Sequence, residues 1–376
     1  MHAYSESGMT SIERIEAVTE LKMPDRVPVA PLLDFYCAAC AGVSARDYLL
    51  GDVDVMLKAV EITYKRHGCA FDMFYVSPSR IFLAGEPILP LSGFYMDFRI
   101  PEGKENMQAL EKPWGRDVSE FDAIMQNGLR ELWRPIKTSD VLKVLSEIPI
   151  INAAMRKWEE ERKVAMFSGG FILTPLEALS FLMGLQDWAV ALHRDRERVI
   201  EICDFMLDGI IASGIVNAKL SGVKRMFVSL VRVSPFFIRR SVFEELVFPH
   251  LKEIIASNIK EGLVSLLHLD TDWTPWLDYF TEFPKGSCIF ECEDTDIYRA
   301  KEVLGDRMCV MGNVSSTLLS QGTPEQVKEE CRKLIEKCGE GGGFILSSGC
   351  DVPPDTPFEN VQAMVDAAHT YGVYKK

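Results

Sequence analysis

Short apolar runs alternate with longer segments of helical period along most of this chain. Runs rich in β-branched residues predict eight strands, at residues 26–31, 71–76, 164–168, 225–230, 263–269, 287–291, 308–312 and 343–347. Apolar positions three and four apart predict helices between them, including 53–67, 241–259, 324–338 and 357–371. A strand followed by a helix, repeated eight times, is typical of a closed parallel (β/α)₈ TIM barrel. A doubly wound open sheet shares this alternation and remains the alternative.

The segment 81–162 does not follow the repeat. Its first part is punctuated by proline and glycine, and two helical stretches follow on either side of Pro149. Proline inside a helix removes a hydrogen bond and clashes with the preceding turn, so we expect a break there. We therefore expect one barrel domain over residues 1–376, with an insertion at about 81–162 that covers the barrel mouth.

Composition excludes several classes of protein. The 376 residues carry a formal net charge of −14 and no basic tract, which argues against binding to a nucleic-acid backbone. With 47% hydrophobic and 26% charged residues, the chain is typical of a globular protein. No apolar run reaches the roughly 18–20 residues of a membrane span, and the polar start is unlike a secretory signal. Ten scattered cysteines are typical of free thiols, and we expect a cytoplasmic protein.

Candidate catalytic residues lie at the ends of three predicted strands. His268 and Asp270 end the fifth strand, Glu291 ends the sixth, and Cys350 follows the eighth. Because a parallel barrel forms its active site at the carboxyl ends of its strands, we expect these four side chains to meet. One imidazole, two carboxylates and one thiol form a donor set typical of zinc.

The same residues carry a resemblance to a known family. His268-x-Asp270, the run Phe290-Glu291-Cys292-Glu293, and Gly349-Cys350 followed by a helix resemble the uroporphyrinogen decarboxylase superfamily. Within it the sequence is similar to the zinc- and corrinoid-dependent methyltransferase branch. In a related zinc pattern, His268, Glu291 and Cys350 match three ligand positions, and Asp270 stands where that pattern has cysteine. The arginine-rich motif that decarboxylases use for porphyrin carboxylates is not seen at 31–47, so we do not expect porphyrinogen decarboxylation.

The resemblance implies a Zn²⁺ ion, a corrinoid (cobalamin) cofactor carried by a partner protein, and a methyl transfer. Replacing a thiolate ligand by Asp270 makes the metal harder and better suited to an ether oxygen. The sequence thus resembles the first methyltransferase of O-demethylase systems, which passes methyl from an aryl methyl ether to the Co(I) corrinoid of a corrinoid protein. Two alternatives stay open: transfer from a methylcorrinoid protein to a thiol, and a lyase or non-catalytic corrinoid-handling protein without zinc.

For several other residues the sequence supports two interpretations. Aromatic side chains near strand ends either wall a flat substrate pocket or belong to the core: Tyr36, Phe171, Trp273 and Trp276. Cys309 and Glu293 could each replace a ligand, although Cys309 is more typical of buried packing. We interpret Cys37-x-x-Cys40 as structural.

Arginines after the fourth strand, Arg232, Arg239 and Arg240, either hold a substrate carboxylate or form surface salt bridges. Asp296 is expected to cap the helix behind it. Whether the chain forms a homodimer is left open by the sequence.

Overall fold

Ten short strands are found in the computed structural model, which describes residues 8–74, 98–99, 108–109, 118–127 and 138–374. The strands are β1 (Met73–Phe74), β2 (Phe98–Arg99), β3 (Gln108–Ala109), β4 (Ala165–Met166), β5 (Gly170–Leu173), β6 (Arg225–Ser229), β7 (Val264–Leu269), β8 (Cys288–Cys292), β9 (Cys309–Val314) and β10 (Phe344–Ser348). Strands β5 to β10 form one parallel sheet, in which each strand pairs with the next along the chain. β1 pairs in parallel with β4, and β2 pairs antiparallel with β3.

The parallel strands close into a ring. β4 and β5 are two parts of one strand position, joined through Gly169, whose N–H donates to Arg225 O at 2.9 Å. At the seam, Val29 pairs in parallel with Leu346 of β10, and Asp72 N–H donates to Val29 O at 2.9 Å. The ring therefore has eight strand positions, which confirms the TIM barrel and excludes the open sheet. The first predicted strand is present only as isolated bridges, because few of its backbone groups join the ladder.

Alternate residues of the strands fill the barrel interior. Buried apolar side chains form one cluster there, which includes Ala30, Leu32, Met73, Ala165, Phe167, Phe227, Leu266, Ile289, Cys309, Met311 and Ile345. Side chains along a strand alternate between its two faces. His268 therefore projects on the same side as Leu266, and Glu291 on the same side as Ile289, one step nearer the barrel mouth. The strand register thus places both polar side chains next to the apolar cluster of the barrel interior, on its mouth side.

Helices surround the ring as the periodicity predicts. They are α1 (Ser11–Thr19), α2 (Asp34–Ala41), α3 (Ala45–Leu50), α4 (Val53–Arg66), α5 (Glu120–Asn127), α6 (Thr138–Arg156), α7 (Pro175–Met183), α8 (Leu185–Arg194), α9 (Arg196–Ser221), α10 (Arg240–Val242), α11 (Phe248–Lys260), α12 (Leu277–Phe280), α13 (Ile297–Leu304), α14 (Ser316–Gln321), α15 (Pro324–Cys338) and α16 (Phe358–Tyr371). Thr323 caps α15 in a capping box, and Asp296 caps α13 as predicted. Among the described residues, no helix combines the length and apolarity needed to cross a bilayer.

The predicted break at Pro149 is wrong. Helix α6 continues through this proline to Arg156, and a π-helical segment (Lys157–Glu161) follows it. Ile151 and Met155 are buried where helix α6 packs on α4 and α9, and this packing outweighs the local cost of the proline. Most of the predicted insertion, 81–162, lies outside the described residues, so its position over the mouth stays a prediction.

A buried ion network fixes the barrel seam. Asp72 is fully buried and accepts hydrogen bonds from Arg14 Nη1 and Arg26 Nη1, each at 2.6 Å. The same carboxylate accepts the N–H of Val29 at 2.9 Å. Because Val29 bridges to β10, this network ties helix α1 and the first strand position to the strand that precedes Cys350.

Candidate metal centre

Three predicted ligands meet at the carboxyl ends of β7 and β10. His268 Nε2 lies 3.1 Å from Asp270 Oδ1, and Cys350 Sγ lies 3.8 Å from the same oxygen. One donor atom from each of the three residues lies within 4.8 Å of the other two. His268 and Asp270 come from one strand end, two residues apart, whereas Cys350 is brought in by closure of the ring.

These separations fit a zinc-sized ion. Zinc bonds of about 2.0–2.3 Å in tetrahedral geometry place neighbouring donor atoms roughly 3.3–3.7 Å apart. The Nε2–Oδ1 and Oδ1–Sγ separations, 3.1 and 3.8 Å, lie just outside this range, and all three donor atoms lie within 4.8 Å of one another, so binding one ion would require small side-chain rotations. The Asp270 side chain is 21% exposed and Cys350 is partly exposed, which leaves one side of the cluster open. Three protein donors with an open side are typical of catalytic rather than structural zinc sites.

Glu291 lies on the other side of the imidazole and is outside this group. Its Oε2 is hydrogen-bonded to His268 Nδ1, the nitrogen that faces away from Asp270. The reason is the strand register: His268 and Glu291 are direct neighbours on β7 and β8, whereas Asp270 lies one step further toward the mouth. The expected convergence of four donors is thus found for three. Glu291 instead has the position of a carboxylate that orients a ligating histidine.

The charges of the cluster depend strongly on one another. Burial would raise the pKa of Asp270, but the charge and hydrogen bond of His268 outweigh it and lower that pKa. Burial would lower the pKa of His268, but the carboxylates of Glu291 and Asp270 raise it well above its ordinary value. Burial raises the pKa of Glu291 and raises that of Cys350 to about 12. A thiolate at Cys350 therefore requires a cation close to its sulfur.

Asp270 is positioned by the turn that follows it. Thr271 has a φ of +66°, an unusual value for a β-branched residue. Its N–H donates to Glu293 Oε2 at 3.3 Å, and its hydroxyl donates to Ser234 Oγ at 2.8 Å. Trp273 Nε1 donates to the Asp270 carbonyl at 2.9 Å. Glu293 therefore supports the backbone next to Asp270 and does not join the three-residue group.

Cys309 and the Cys37-x-x-Cys40 pair lie apart from the cluster. Cys309 begins β9 and is fully buried among the apolar side chains of the barrel interior. Cys37 is buried in α2, and Cys40 is partly buried on the same helix. The structure thus favours structural roles for all three thiols.

Most of the predicted aromatic pocket belongs to the core. Trp273 is fully buried and Trp276 is 5% exposed, and both contact the ring of Phe243. Tyr36 is buried, and its hydroxyl is hydrogen-bonded to His67 Nε2 at 3.0 Å. These three side chains are therefore occupied by protein contacts.

Phe171 is linked to His268 through the ring of Phe227. Its partly exposed ring stacks on Phe227 with centroids 5.1 Å apart, and Phe227 lies 5.0 Å from the ring of His268. Sequence reasoning missed Phe227. The alternation along β6, which places Phe227 and Ser229 on one face, was the signal that could have found it.

The fold and this cluster define a (β/α)₈ barrel with a candidate metal centre at its catalytic face. The chain belongs to the uroporphyrinogen decarboxylase (URO-D) family, whose model matches residues 10–371. It is 26% identical over 234 residues to a methylated-thiol–coenzyme M methyltransferase of Methanosarcina mazei, an alignment that spans 61% of this chain and 60% of that relative. It is 32% identical over 138 residues to the uroporphyrinogen decarboxylase of Coxiella burnetii, or 35% of this chain and 37% of that one.

A solved structure supports the same fold. A methyltransferase from Methanosarcina mazei superimposes with a TM-score of 0.70 and 19% identity, covering 96% of this chain and 98% of that one. At this identity the likeness establishes the barrel fold over nearly the whole chain, and the reaction has to be argued from the site.

Proposed function

We propose that the protein is a zinc-dependent methyltransferase that demethylates an aryl methyl ether and passes the methyl group to the Co(I) corrinoid of a partner protein. The URO-D family membership and the 26% identity to a Methanosarcina mazei methyltransferase support methyl transfer. The choice of an ether rests on the donor set of His268, Asp270 and Cys350.

The carboxylate of Asp270 carries this choice. A site with one sulfur, one nitrogen and one oxygen donor is harder than a site with two thiolates, and harder ions prefer oxygen. When bound, zinc would supply Lewis acidity toward the ether oxygen, whose negative charge grows as the methyl group leaves. In the balanced reaction the carbon–oxygen bond breaks, its electron pair stays on the phenolate, and the reduced corrinoid gains the methyl group.

The remaining residues orient this site. Glu291 holds the imidazole of His268 through Nδ1, so that Nε2 faces Asp270. The partly exposed ring of Phe171, stacked on the buried Phe227 that lies 5.0 Å from the imidazole, offers an aromatic face on which a benzene ring of the substrate can lie. The exposed side of Asp270 and Cys350 is where the substrate and the corrinoid protein would approach.

The second candidate is methyl transfer to or from a thiol, again with a corrinoid protein. One observation favours it: the Methanosarcina mazei relative is named as a methylated-thiol–coenzyme M methyltransferase. A thiol substrate would approach a centre with a single cysteine ligand. Such a metal would bind a second sulfur more strongly than a metal that already has two thiolate ligands.

The test combines metal analysis with a methyl-transfer assay. We expect about one zinc per chain in the purified protein, and its loss in His268→Ala and Cys350→Ala. Cys40→Ala, which changes a partly buried thiol on α2, is the matched control and should keep the metal. Methoxybenzenes with reduced cob(I)alamin, free or on a corrinoid protein, should produce methyl-cobalt absorbance.

Three results would contradict the proposal. Full zinc retention in both ligand variants would contradict the site. Methyl-cobalt formed from methylated thiols but not from methoxybenzenes would favour the second candidate. Absence of metal with no effect of chelators would favour a lyase or a non-catalytic protein.

A further inference from the structure

Helix α7 begins with the sequence of a capping box that does not form. Thr174 and Glu177 stand three residues apart, a spacing at which the two side chains usually bond to N–H groups of the first helical turn. Thr174 is the N-cap residue, yet its side chain makes no capping hydrogen bond. Glu177 extends instead to the end of β6, where its Oε1 accepts the N–H groups of Val231 at 2.6 Å and Arg232 at 3.0 Å. These two bonds fix the Glu177 carboxyl group against the next strand of the ring.

Both side chains of the unformed box are fully buried and keep one polar atom without a well-formed hydrogen bond. Among the described residues, neither Oε2 of Glu177 nor Oγ1 of Thr174 has a partner of normal geometry. A buried polar atom without a partner costs about 1–3 kcal/mol, and the cost is larger for a charged group than for a neutral one. This environment therefore favours a Glu177 that carries its own proton.

The groups that face Glu177 keep its proton exchangeable near neutral pH. Burial raises the pKa of Glu177 to about 7, against the opposing hydrogen bonds from the N–H groups of Arg232 and Val231 and from the hydroxyl of Ser229. The carboxylate of Asp270 acts in the same direction as burial. The guanidinium of Arg232 is the cation whose charge interacts with Glu177. A carboxyl group of this kind can both hold and release a proton at neutral pH, as a general acid must.

Ser229 connects this carboxyl group with the metal centre. It is the register partner of His268 on the neighbouring strand, and paired side chains of strands about 4.8 Å apart project from the same face. Ser229 also follows Phe227 on that face, and the Phe227 ring lies 5.0 Å from the imidazole. The Ser229 hydroxyl in turn interacts with the Glu177 carboxyl group through hydrogen bonding. Glu177 is thus one side chain away from His268 and close enough to Asp270 for their charges to interact.

We propose that Glu177 supplies, through the hydroxyl of Ser229, the proton that the departing group takes up when it loses its methyl group. This inference rests on the proposed function and adds a proton donor to it. In the balanced step, the departing oxygen keeps the electron pair of the broken carbon–oxygen bond and takes the hydroxyl proton of Ser229. Ser229 takes the proton of Glu177, which becomes a carboxylate and regains a proton from solvent. A methylated thiol would use the same step, with its sulfur in place of the oxygen.

The experiment compares two methyl ethers whose phenols differ in acidity, anisole and the more activated 4-methoxybenzonitrile, with reduced corrinoid as the methyl acceptor. The wild-type kcat for anisole should fall as pH rises through about 7, because a deprotonated Glu177 has no proton to donate. Glu177→Gln and Ser229→Ala should each lower this kcat about 100-fold or more and remove the pH dependence. Both variants should lose less than tenfold with 4-methoxybenzonitrile, since its phenolate leaves more readily without a proton.

The variants also test whether the two residues act as one relay. The double variant should lose no more than either single variant, because residues that act as a unit are not additive. Ser229→Thr keeps a hydroxyl and should recover most of the rate. Glu244→Gln, which changes a half-exposed carboxylate near Arg240, is the matched control and should leave both rates unchanged.

An infrared titration follows the proton directly, without any corrinoid. The carbonyl band of a protonated carboxyl group should disappear from the wild-type protein as pH rises through about 7, and this change should be missing in Glu177→Gln. Zinc content should be the same in all variants, since none of them replaces one of the three grouped donors.

The remaining outcomes separate this inference from the proposed function. Equal losses with both ethers, an unchanged pH profile, or no titrating band assigned to Glu177 would overturn the inference and leave methyl transfer intact. Methyl transfer from methylated thiols alone, with the same loss in Glu177→Gln, would reject the ether as substrate and keep the proton donor. No transfer from either class of donor by the wild-type protein would reject both.

Discussion

Replacing Glu291 tests whether this residue orients the histidine or binds the metal. Glu291 is fully buried, and its Oε2 is hydrogen-bonded to His268 Nδ1, on the side of the ring away from Asp270 and Cys350. If it orients the ring, Glu291→Gln should keep much of the zinc affinity, because an amide oxygen still accepts the Nδ1 proton. Glu291→Ala should lose more, because the imidazole is then free to rotate.

The size of each loss follows from the bond that is changed. A hydrogen bond to a charged group contributes about 1.5–3 kcal/mol and a neutral one about 0.5–1.5 kcal/mol. Replacing the charged hydrogen bond of Glu291 by the neutral one of Glu291→Gln therefore predicts a zinc Kd that is about tenfold higher. Removing the bond in Glu291→Ala predicts about 100-fold, the upper range for partners of metal-bound histidine. Loss of a ligand such as Asp270 should cost more, roughly 3–5 kcal/mol if the three protein ligands share about 10–16 kcal/mol.

Competition with a chromophoric chelator at constant pH measures these affinities. Asp270→Asn is the reference for a lost ligand, and circular dichroism checks that each variant is folded. The reasoning is refuted if Glu291→Gln and Glu291→Ala lose zinc equally and to the same extent as Asp270→Asn. That result would restore the ligand role that the sequence predicts for Glu291.

Three further predictions concern stability and thiols. Asp72→Asn removes the shared anion of two buried arginines, which should lower the free energy of unfolding by about 3–5 kcal/mol. Because the entropy of unfolding is about 0.8 kcal/mol per kelvin for this chain length, Tm should fall by roughly 4–6 °C. Calorimetry that shows no change in Tm would contradict the seam network. Burial raises the pKa of Glu177 to about 7, so its contribution to folding is present below its ordinary pKa near 4.5 and is lost as pH rises through 7. The free energy of unfolding of the wild-type protein should therefore fall by about 3 kcal/mol, relative to that of Glu177→Gln, between pH 4.5 and 8. Denaturant titrations of both proteins across this pH range measure the difference. If the free energies of unfolding of the two proteins changed in parallel with pH, this prediction would be wrong. Cys37→Ser with Cys40→Ser should leave zinc stoichiometry unchanged by elemental analysis, and a loss of metal would bring these thiols into the site.

Periodicity in the sequence was sufficient for most of the fold. The predicted helix 324–338 is observed as Pro324–Cys338, because its cap, its proline and its apolar stripe all indicate the same boundaries. The seam was harder to predict. Residues 26–31 read as a strand, yet they form only isolated bridges, and hydrogen bonds to Asp72 complete their place in the ring. Pro149 shows the opposite effect, since packing of the residues around it preserves a helix that local rules would end.

The sequence by itself placed the chemical groups of the candidate site at or near strand ends, because an apolar run shows roughly where a strand lies and its alternation shows which face each residue takes. His268, Asp270 and Cys350 could be named on that basis. The tertiary structure decided which role each of these groups has. The register of β7 against β8 places Glu291 on Nδ1 of the imidazole, and closure of the ring brings Cys350 to Asp270 across 80 residues of sequence. The same packing buries Trp273. Those outcomes depend on distances between strands and helices that are far apart in the chain, and no local pattern encodes such distances.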